Sequence, residues 1–351
     1  MDHPSKSFVK RTLPLNFSDC SQQVINELSA VRCVDGFLWL GCDEGYSLER
    51  LTLSSNEASE HKTFRLLDYL FLPNDDEEVD IEGIAYGGYY LWVLGSHSIK
   101  RKRPKSDKSP QENLERIESL EREDNRCLLG RIPLVNGQLF RQCSHPEKPD
   151  TLLTAAQIKR KKRGNQLTHI LSDDPHIGPY LKASIPGKEN GLDFEGIAVA
   201  EGRLFLGLRG PVLRGWALLI EIFLQADGPD QLKLDKSKGC YRKYFLDLRG
   251  HGIRDLCFVG SDLLLLAGPT MDLEGLASIY RLRDALINLD GHWLSPEPVV
   301  DLLDRYQSEK AEGISQLHHD SDELVVVYDS PNDNRIQGNC VLADILTIPP
   351  T

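Results

Sequence analysis

Apolar positions in this chain gather in short runs, and the runs come in pairs. Glu82-Gly83-Ile84-Ala85 leads into Leu91-Trp92-Val93, Glu195-Gly196-Ile197-Ala198 into Leu204-Phe205-Leu206, and Glu312-Gly313-Ile314-Ser315 into Leu324-Val325-Val326-Val327. Two weaker copies keep the layout: Glu27-Leu28-Ser29-Ala30 before Leu38-Trp39-Leu40, and Asp255-Leu256-Cys257-Phe258 before Leu263-Leu264-Leu265-Leu266. An acid opens each copy, a short apolar strand follows, and after a turn a second apolar strand runs back. Short apolar runs bounded by turn signals are the signature of strands. The opening acids fall at 27, 82, 195, 255 and 312, a period of about 57 residues with one expanded interval.

A multi-stranded repeat of this size predicts an all-β chain built as a β-propeller, with five blades as the first reading and six as the alternative. The whole of 1–351 reads as one domain. Third-strand candidates follow each pair, for example Cys127–Leu134 and Ala217–Phe223, and Tyr241–Leu248 and Pro298–Leu303 read as fourth strands. Residues 10–17, Lys10–Phe17, look like a fourth strand with no first three before it. The last repeat stops at a third strand, Cys340–Ile348. The two ends are expected to complete one blade and so to cover a sheet edge. The expanded interval between the second and third copies reads as a helical insertion over about 105–185. Helices are expected over Gln111–Asp124, Thr151–His169 and Asp174–Ile185, the last with Asp174 as N-cap and Pro175 in first helical position. Strands over 145–185 would instead make the sixth blade.

Charge and composition narrow the function classes. The formal charge of −12 opposes general nucleic-acid binding. No stretch approaches the roughly 18 apolar residues of a membrane helix, and the first residues lead into no signal-peptide core. Eight cysteines are scattered with no Cys-x-x-Cys pair, which suits a reduced, cytoplasmic setting. Two basic runs, Lys100–Lys105 and Lys159–Arg163, flank the insertion. They read first as solvated charge, and second as a contact for a protein or anionic partner.

Hairpin geometry says where chemistry gathers. The second strand of each pair returns to the face where the first began. That groups Glu82 with Ser96 and His97, Glu195 with Arg209 and Arg214, Asp255 with Asp272, Glu312 with Asp329, and Glu27 with Asp43, all at one mouth of a central channel. Lys188 and Asp193 precede the third copy and join them. Two carboxylates about 8 Å apart repel by roughly 2 kcal/mol at an effective dielectric of about 20. A ring of them needs compensation, from Arg209, Arg214, Lys188 and His97 or from a hard divalent cation such as Ca²⁺ or Mg²⁺. The expected metal ligands are Glu82, Glu195, Asp255 and Glu312. His97 is the acid–base candidate, Arg209 an anion clamp, and Asp193 the third member of that catalytic set. Lys188, Arg214 and Ser96 are candidate contacts to a small polar or phosphorylated ligand. The competing reading is architectural: an acid repeated in every blade accepts backbone N–H groups of its neighbour, and Arg209 simply neutralises Glu195. No Gly-x-Ser-x-Gly, His-Glu-x-x-His or Gly-Lys-Ser/Thr motif is present.

The segments Asp173-Asp174-Pro175-His176-Ile177-Gly178-Pro179-Tyr180, Lys188-Glu189-Asn190-Gly191-Leu192-Asp193-Phe194-Glu195-Gly196-Ile197-Ala198, and Glu82–Ala85 with Gly95-Ser96-His97-Ser98 carry a family likeness. The chain resembles a bacterial family, domain of unknown function 3616, over most of its length. More distantly, the Glu-Gly-Ile-Ala blade is similar to esterase-like phytase propellers. That resemblance implies calcium at the channel mouth and a hydrolase of phosphoesters or esters. The alternative is a non-catalytic propeller that binds a ligand or a protein.

Overall fold

The computed structural model describes residues 9–18, 22–75, 77–271, 275–287, 289, 291–302, 309–319 and 321–349. The chain is mostly strand, as the paired apolar runs require. Its sheets fall into antiparallel groups that each start with one strand of the repeated motif. These inner strands are Leu28–Val34, Ile81–Gly87, Asp193–Ala200, Gly252–Val259 and Lys310–Gln316. Each neighbours the next in chain order, and Lys310–Gln316 lies against Leu28–Val34, so among the described residues the five close a ring. Five apolar clusters fill the spaces between adjacent groups, one of them joining Leu264, Leu266 and Ile279 to Ile314 and Val326. Full burial of each such side chain is worth about 1.5–3 kcal/mol, so packing between sheets supplies much of the cohesion.

The ends of the chain meet. Val9–Asn16 pairs antiparallel with Cys340–Thr347, Leu13 opposite Ala343. The same N-terminal strand touches the outer strand of the first group through Leu15 and Ala58. Two further outer edges are covered by a neighbour's loop. The hairpin Leu224–Ala226/Gln231–Leu234 adds in parallel to Ala156–Ile158, and Trp293–Leu294 adds in parallel to Tyr241–Asp247. Covered edges expose fewer unpaired N–H and C=O groups to another chain.

The interval after Glu82 differs from the sequence reading. Leu129–Val135 is the third strand expected over Cys127–Leu134, but Ala156–Ile158 follows as a fourth strand of the second sheet, so the interval is not one insertion. Thr151–His169 is mainly extended, with strands Lys148–Thr154 and Ala156–Ile158 and only Gln166–Leu171 helical. Only in Ala156–Ile158 does burial alternate, with Ala156 and Ile158 buried on either side of Gln157. The last helix is Gly178–Ala183 and begins later than Pro175; Asp174 Oδ1 instead accepts the N–H groups of His176 and Ile177 in the preceding turn. The helix near 111 runs Pro110–Glu118 and is fixed by a capping box between Ser109 and Glu112. Strands over 145–185 amount to one hairpin and a short outer strand, not a further sheet in the ring.

Candidate functional site

A β-bulge sits at the same point of every inner strand. The register slips between Leu28 and Ala30, Ile81 and Gly83, Phe194 and Gly196, Ile253 and Asp255, and Ala311 and Gly313. The extra residue is Ser29, Glu82, Glu195, Arg254 or Glu312. A bulge leaves one residue outside the ladder and re-aims its side chain. The true equivalents of the three glutamates are therefore Arg254 and Ser29, not Asp255 and Glu27. The glycine after each glutamate has a steric cause. A Cβ on Gly83 would lie 2.9 Å from the Glu195 carbonyl oxygen, and one on Gly196 3.1 Å from the Asp255 carbonyl carbon. Adjacent inner strands meet too closely there for a side chain.

The five bulged side chains form an ordered ring. Arg254 stands between two glutamates and binds both, at 3.2 Å from Glu195 and 2.6 Å from Glu312. Arg209, on the second strand of the third sheet, adds bonds of 2.5 Å to Glu195 and 3.1 Å to Asp193. Asp193, Glu195, Glu312, Arg209 and Arg254 are all buried. Ser29 donates its hydroxyl to the Ile81 carbonyl and carries no charge. Glu82, between Ser29 and Glu195, has no cationic neighbour in the ring. It is half-buried and makes no hydrogen bond or ion pair with any described residue. Burial, then Asp80, Glu195, Asp193 and Asp43, hold its carboxyl well above the usual range. Carboxylate oxygens of Glu82, Asp193 and Glu195 lie within 4.8 Å of one another.

More acids crowd the same mouth. Burial followed by Asp329, Asp80 and Glu27 raises Asp43 to about 8. Glu27 rises to about 7, through burial and then Glu44. Asp193 and Glu312 rise to about 7 by burial, moderated by Arg209 and Arg254 respectively. Asp80 is held by Arg126 at 2.6 Å, and Arg126 also binds Glu78 and Glu123. Lys188 is exposed and forms no ion pair within 4 Å with a described residue, although its charge lowers both Asp43 and Asp193.

Several expected site residues stand elsewhere. Asp255 turns away from the mouth: its oxygens accept the N–H groups of Leu256 (2.7 Å) and Ile314 (2.8 Å). It stitches the fourth inner strand to the fifth, with each carboxylate oxygen engaged by a backbone N–H. His97 is buried against Phe194, whose ring centroid is 5.2 Å away. Its Nδ1–H donates to the Gly95 carbonyl at 2.7 Å, and its Nε2 accepts from Asn165 Nδ2 at 2.7 Å. Asn165 Oδ1 already accepts from Thr168 N–H, which fixes the amide orientation and hence the neutral imidazole tautomer. Burial lowers His97 to about 4. Both ring nitrogens are thus engaged within the packing around Gly95 and Asn165. Ser96 is buried and bonds Ser98, while its carbonyl accepts the Phe194 N–H. Arg214 is exposed in the turn before Trp216 and bonds no described carboxylate. Asp272 lies outside the described residues.

Arg254, Arg126 and Arg32 escaped the sequence reading. Arg254 was hidden because its neighbour Asp255 imitates the motif acid; only the bulge register separates them. Arg32 Nε donates to Ile84 O (2.9 Å) and its Nη2 to Leu256 O (2.8 Å), so its guanidinium bridges the second and fourth inner strands. Beyond it a cavity of about 370 Å³ opens, lined by Cys33, His318 and His319 among others. No sequence signal marks Arg32 as an axial bridge.

These features define a β-propeller-like protein with a charged ring at one mouth. The chain belongs to the family described as "Protein of unknown function (DUF3616)", which matches residues 27–344. No curated protein matches it. Among solved structures it is similar to glutaminyl cyclase of Myxococcus xanthus, at 11% identity over 97% of each chain with a TM-score of 0.44. It is also similar to the PQQ-bound aldose sugar dehydrogenase of Streptomyces coelicolor, at 12% identity over 97% of each chain, TM-score 0.39. A third is the virginiamycin B lyase of Staphylococcus aureus, at 11% identity over 96% of this chain and 99% of that one, TM-score 0.37. No activity transfers from likenesses this remote. Among the described residues no helix is long and apolar enough to cross a membrane.

Proposed function

We propose that this protein is a five-bladed propeller of residues 1–351, with the segments around 105–128 and 159–185 as additions to its second blade, that binds a divalent cation at the acidic mouth. One observation carries the reading: Glu82, Asp193 and Glu195 bring carboxylate oxygens within 4.8 Å of one another while Glu82 has no counter-charge among the described residues. All-oxygen donors suit Ca²⁺ or Mg²⁺. An ion there would offset the repulsion from Asp80, Glu195, Asp193 and Asp43 that, with burial, raises the Glu82 carboxyl. Its solvent side would take a small polar or phosphorylated ligand, with Lys188 at the rim meeting the ligand's negative charge.

A second reading makes the same ion catalytic, orienting a phosphoester or ester and activating water. It is favoured by the partial exposure of Glu82, which leaves open coordination positions toward solvent. In that reading Glu82 and the ion carry the chemistry, and His97 does not.

The test is direct. Ca²⁺ and Mg²⁺ are titrated into EDTA-stripped protein by calorimetry and thermal unfolding. Saturation to 100 times Kd is expected to stabilise the fold by about 2.7 kcal/mol, and Glu82→Gln to abolish the gain. Unchanged unfolding with either ion refutes the cation site. Turnover of a phosphatase or esterase panel that depends on the ion and on Glu82 decides for catalysis.

A further inference from the structure

One cavity has the opposite sign to the mouth. It holds about 610 Å³ and opens between the end of the second sheet and the two short helices that follow Arg163. Arg122, Lys162 and Arg163 stand on its walls, and Tyr180, Ile185 and Leu192 supply apolar surface. Its acids are already committed: Glu123 to Arg126 at 2.6 Å, and Asp124 to Arg160 at 3.4 Å. Lys162 and Arg163 have no ion pair or hydrogen bond with a described residue, and Arg122 bonds only the neutral hydroxyl of Ser184 on the same wall. A protein of net charge −12 thus gathers three uncompensated cations around one cleft.

We propose that this cleft is a binding site for a phosphorylated small molecule, separate from the mouth. Its volume lies within the range of about 300–1,000 Å³ typical of small-ligand pockets. Arginine offers a planar fork of N–H donors that matches phosphate oxygens, and lysine adds a point charge. The apolar wall gives an organic body somewhere to bury, which a bare anion or an extended polyanion would not use. The floor is rigid: His97 is locked between Gly95 and Asn165, and Asn165 also caps the helix Gln166–Leu171. The basic run Lys159–Arg163 then has a use that the acidic mouth does not give it. Segment 96–99 separates the two sites, with Ser98 and Ile99 on the cleft side and Gly187, which donates to the Ile99 carbonyl, beside Asp193 on the other.

Phenyl phosphate and inorganic phosphate serve as probes in calorimetric titrations of the full chain, with EDTA and with Ca²⁺. Phenyl phosphate is expected to bind in EDTA, at least about tenfold more tightly than inorganic phosphate because of the apolar wall. The double variant Lys162→Glu/Arg163→Glu is expected to lose at least tenfold, and Arg163→Gln a smaller part. Both positions are exposed, so melting temperatures should hold. A charge reversal at Lys62, an exposed residue on the outer strand Ala58–Arg65 of the first sheet, should change nothing. Absence of binding at millimolar concentration overturns the proposal, as does binding that ignores the charge reversals. Binding that requires Ca²⁺ and is lost in Glu82→Gln would assign the anion to the mouth instead. A single-stranded oligonucleotide that displaces phenyl phosphate at lower phosphate concentration would make the cleft a polyanion surface and also overturn it. Failure of the mouth to bind Ca²⁺ leaves this result unaffected, so the two readings fail separately.

Discussion

Two arcs of the inner ring carry the same bulge and opposite electrostatics. On one arc Glu195, Arg254 and Glu312 alternate in sign, and Arg209 completes the pairing. On the other, Ser29 and Glu82 sit side by side with no cation between them. The backbone is the same in both. One substitution in the repeat, arginine for glutamate at 254, neutralises its two ring neighbours and cannot reach Glu82. The paired arc has the features of a structural network, buried and closed. The unpaired arc is where the proposed cation would sit. A repeat therefore marks where side chains point, while its departures, Arg254 and Ser29, decide which of them are paired.

The largest effect should come from opening the paired arc. Arg254→Ala leaves two buried carboxylates with one cation fewer, and breaking such a pair costs about 3–5 kcal/mol, read from the urea midpoint. A loss below 1 kcal/mol would mean that the two arcs do not differ in the way described. His97→Ala removes two buried hydrogen bonds and leaves one Asn165 N–H without its acceptor, costing about 1–3 kcal/mol. It should leave the Ca²⁺-induced shift in melting temperature intact; loss of that shift would return His97 to the mouth. Glu82→Gln works in the opposite direction. It removes an uncompensated charge and should stabilise the ion-free protein at pH 8 by about 1 kcal/mol, while erasing the response to Ca²⁺.

The pH dependence sharpens the same contrast. The folded protein holds Asp43, Asp193 and Glu312 near 7–8, well above unfolded carboxyls. Between about pH 4 and 8 the native state therefore binds more protons, so these groups favour folding at the acid end and lose that contribution as pH rises. Ca²⁺ should offset the loss, and its stabilisation should grow from pH 6 to 8 in thermal melts. His97 acts the other way: lowered to about 4, it favours folding above its unfolded value near 6.5 and loses that contribution as pH falls toward 4. A Ca²⁺ effect independent of pH would remove the mouth carboxylates from the binding. The smallest effect is expected for Arg214→Ala, an exposed turn residue, with no measurable change in stability or Ca²⁺ response.

Period and polarity alone identify the strands that matter. The motif runs 81–87, 193–200 and 310–316 are legible because an inner strand is apolar on both sides and bounded by turns. The meeting of Glu195, Asp193 and Arg209 is legible as well, because a hairpin returns its second strand to the start of its first. The helix expected over Thr151–His169 gives way to strand over most of 151–158, because short apolar segments satisfy helical and extended spacings alike. The roles of Asp255, Arg254 and His97 rest on a one-residue slip. Side chains alternate across a strand, so a bulge moves Arg254 into the ring and turns Asp255 toward Ile314. No local pattern encodes that slip, since it depends on which residue of the next strand lies opposite. Charge balance is likewise collective. The sequence supplies the acids and the arginines, but only the order of the inner strands around the axis decides that Glu82 meets no cation among the described residues of the ring.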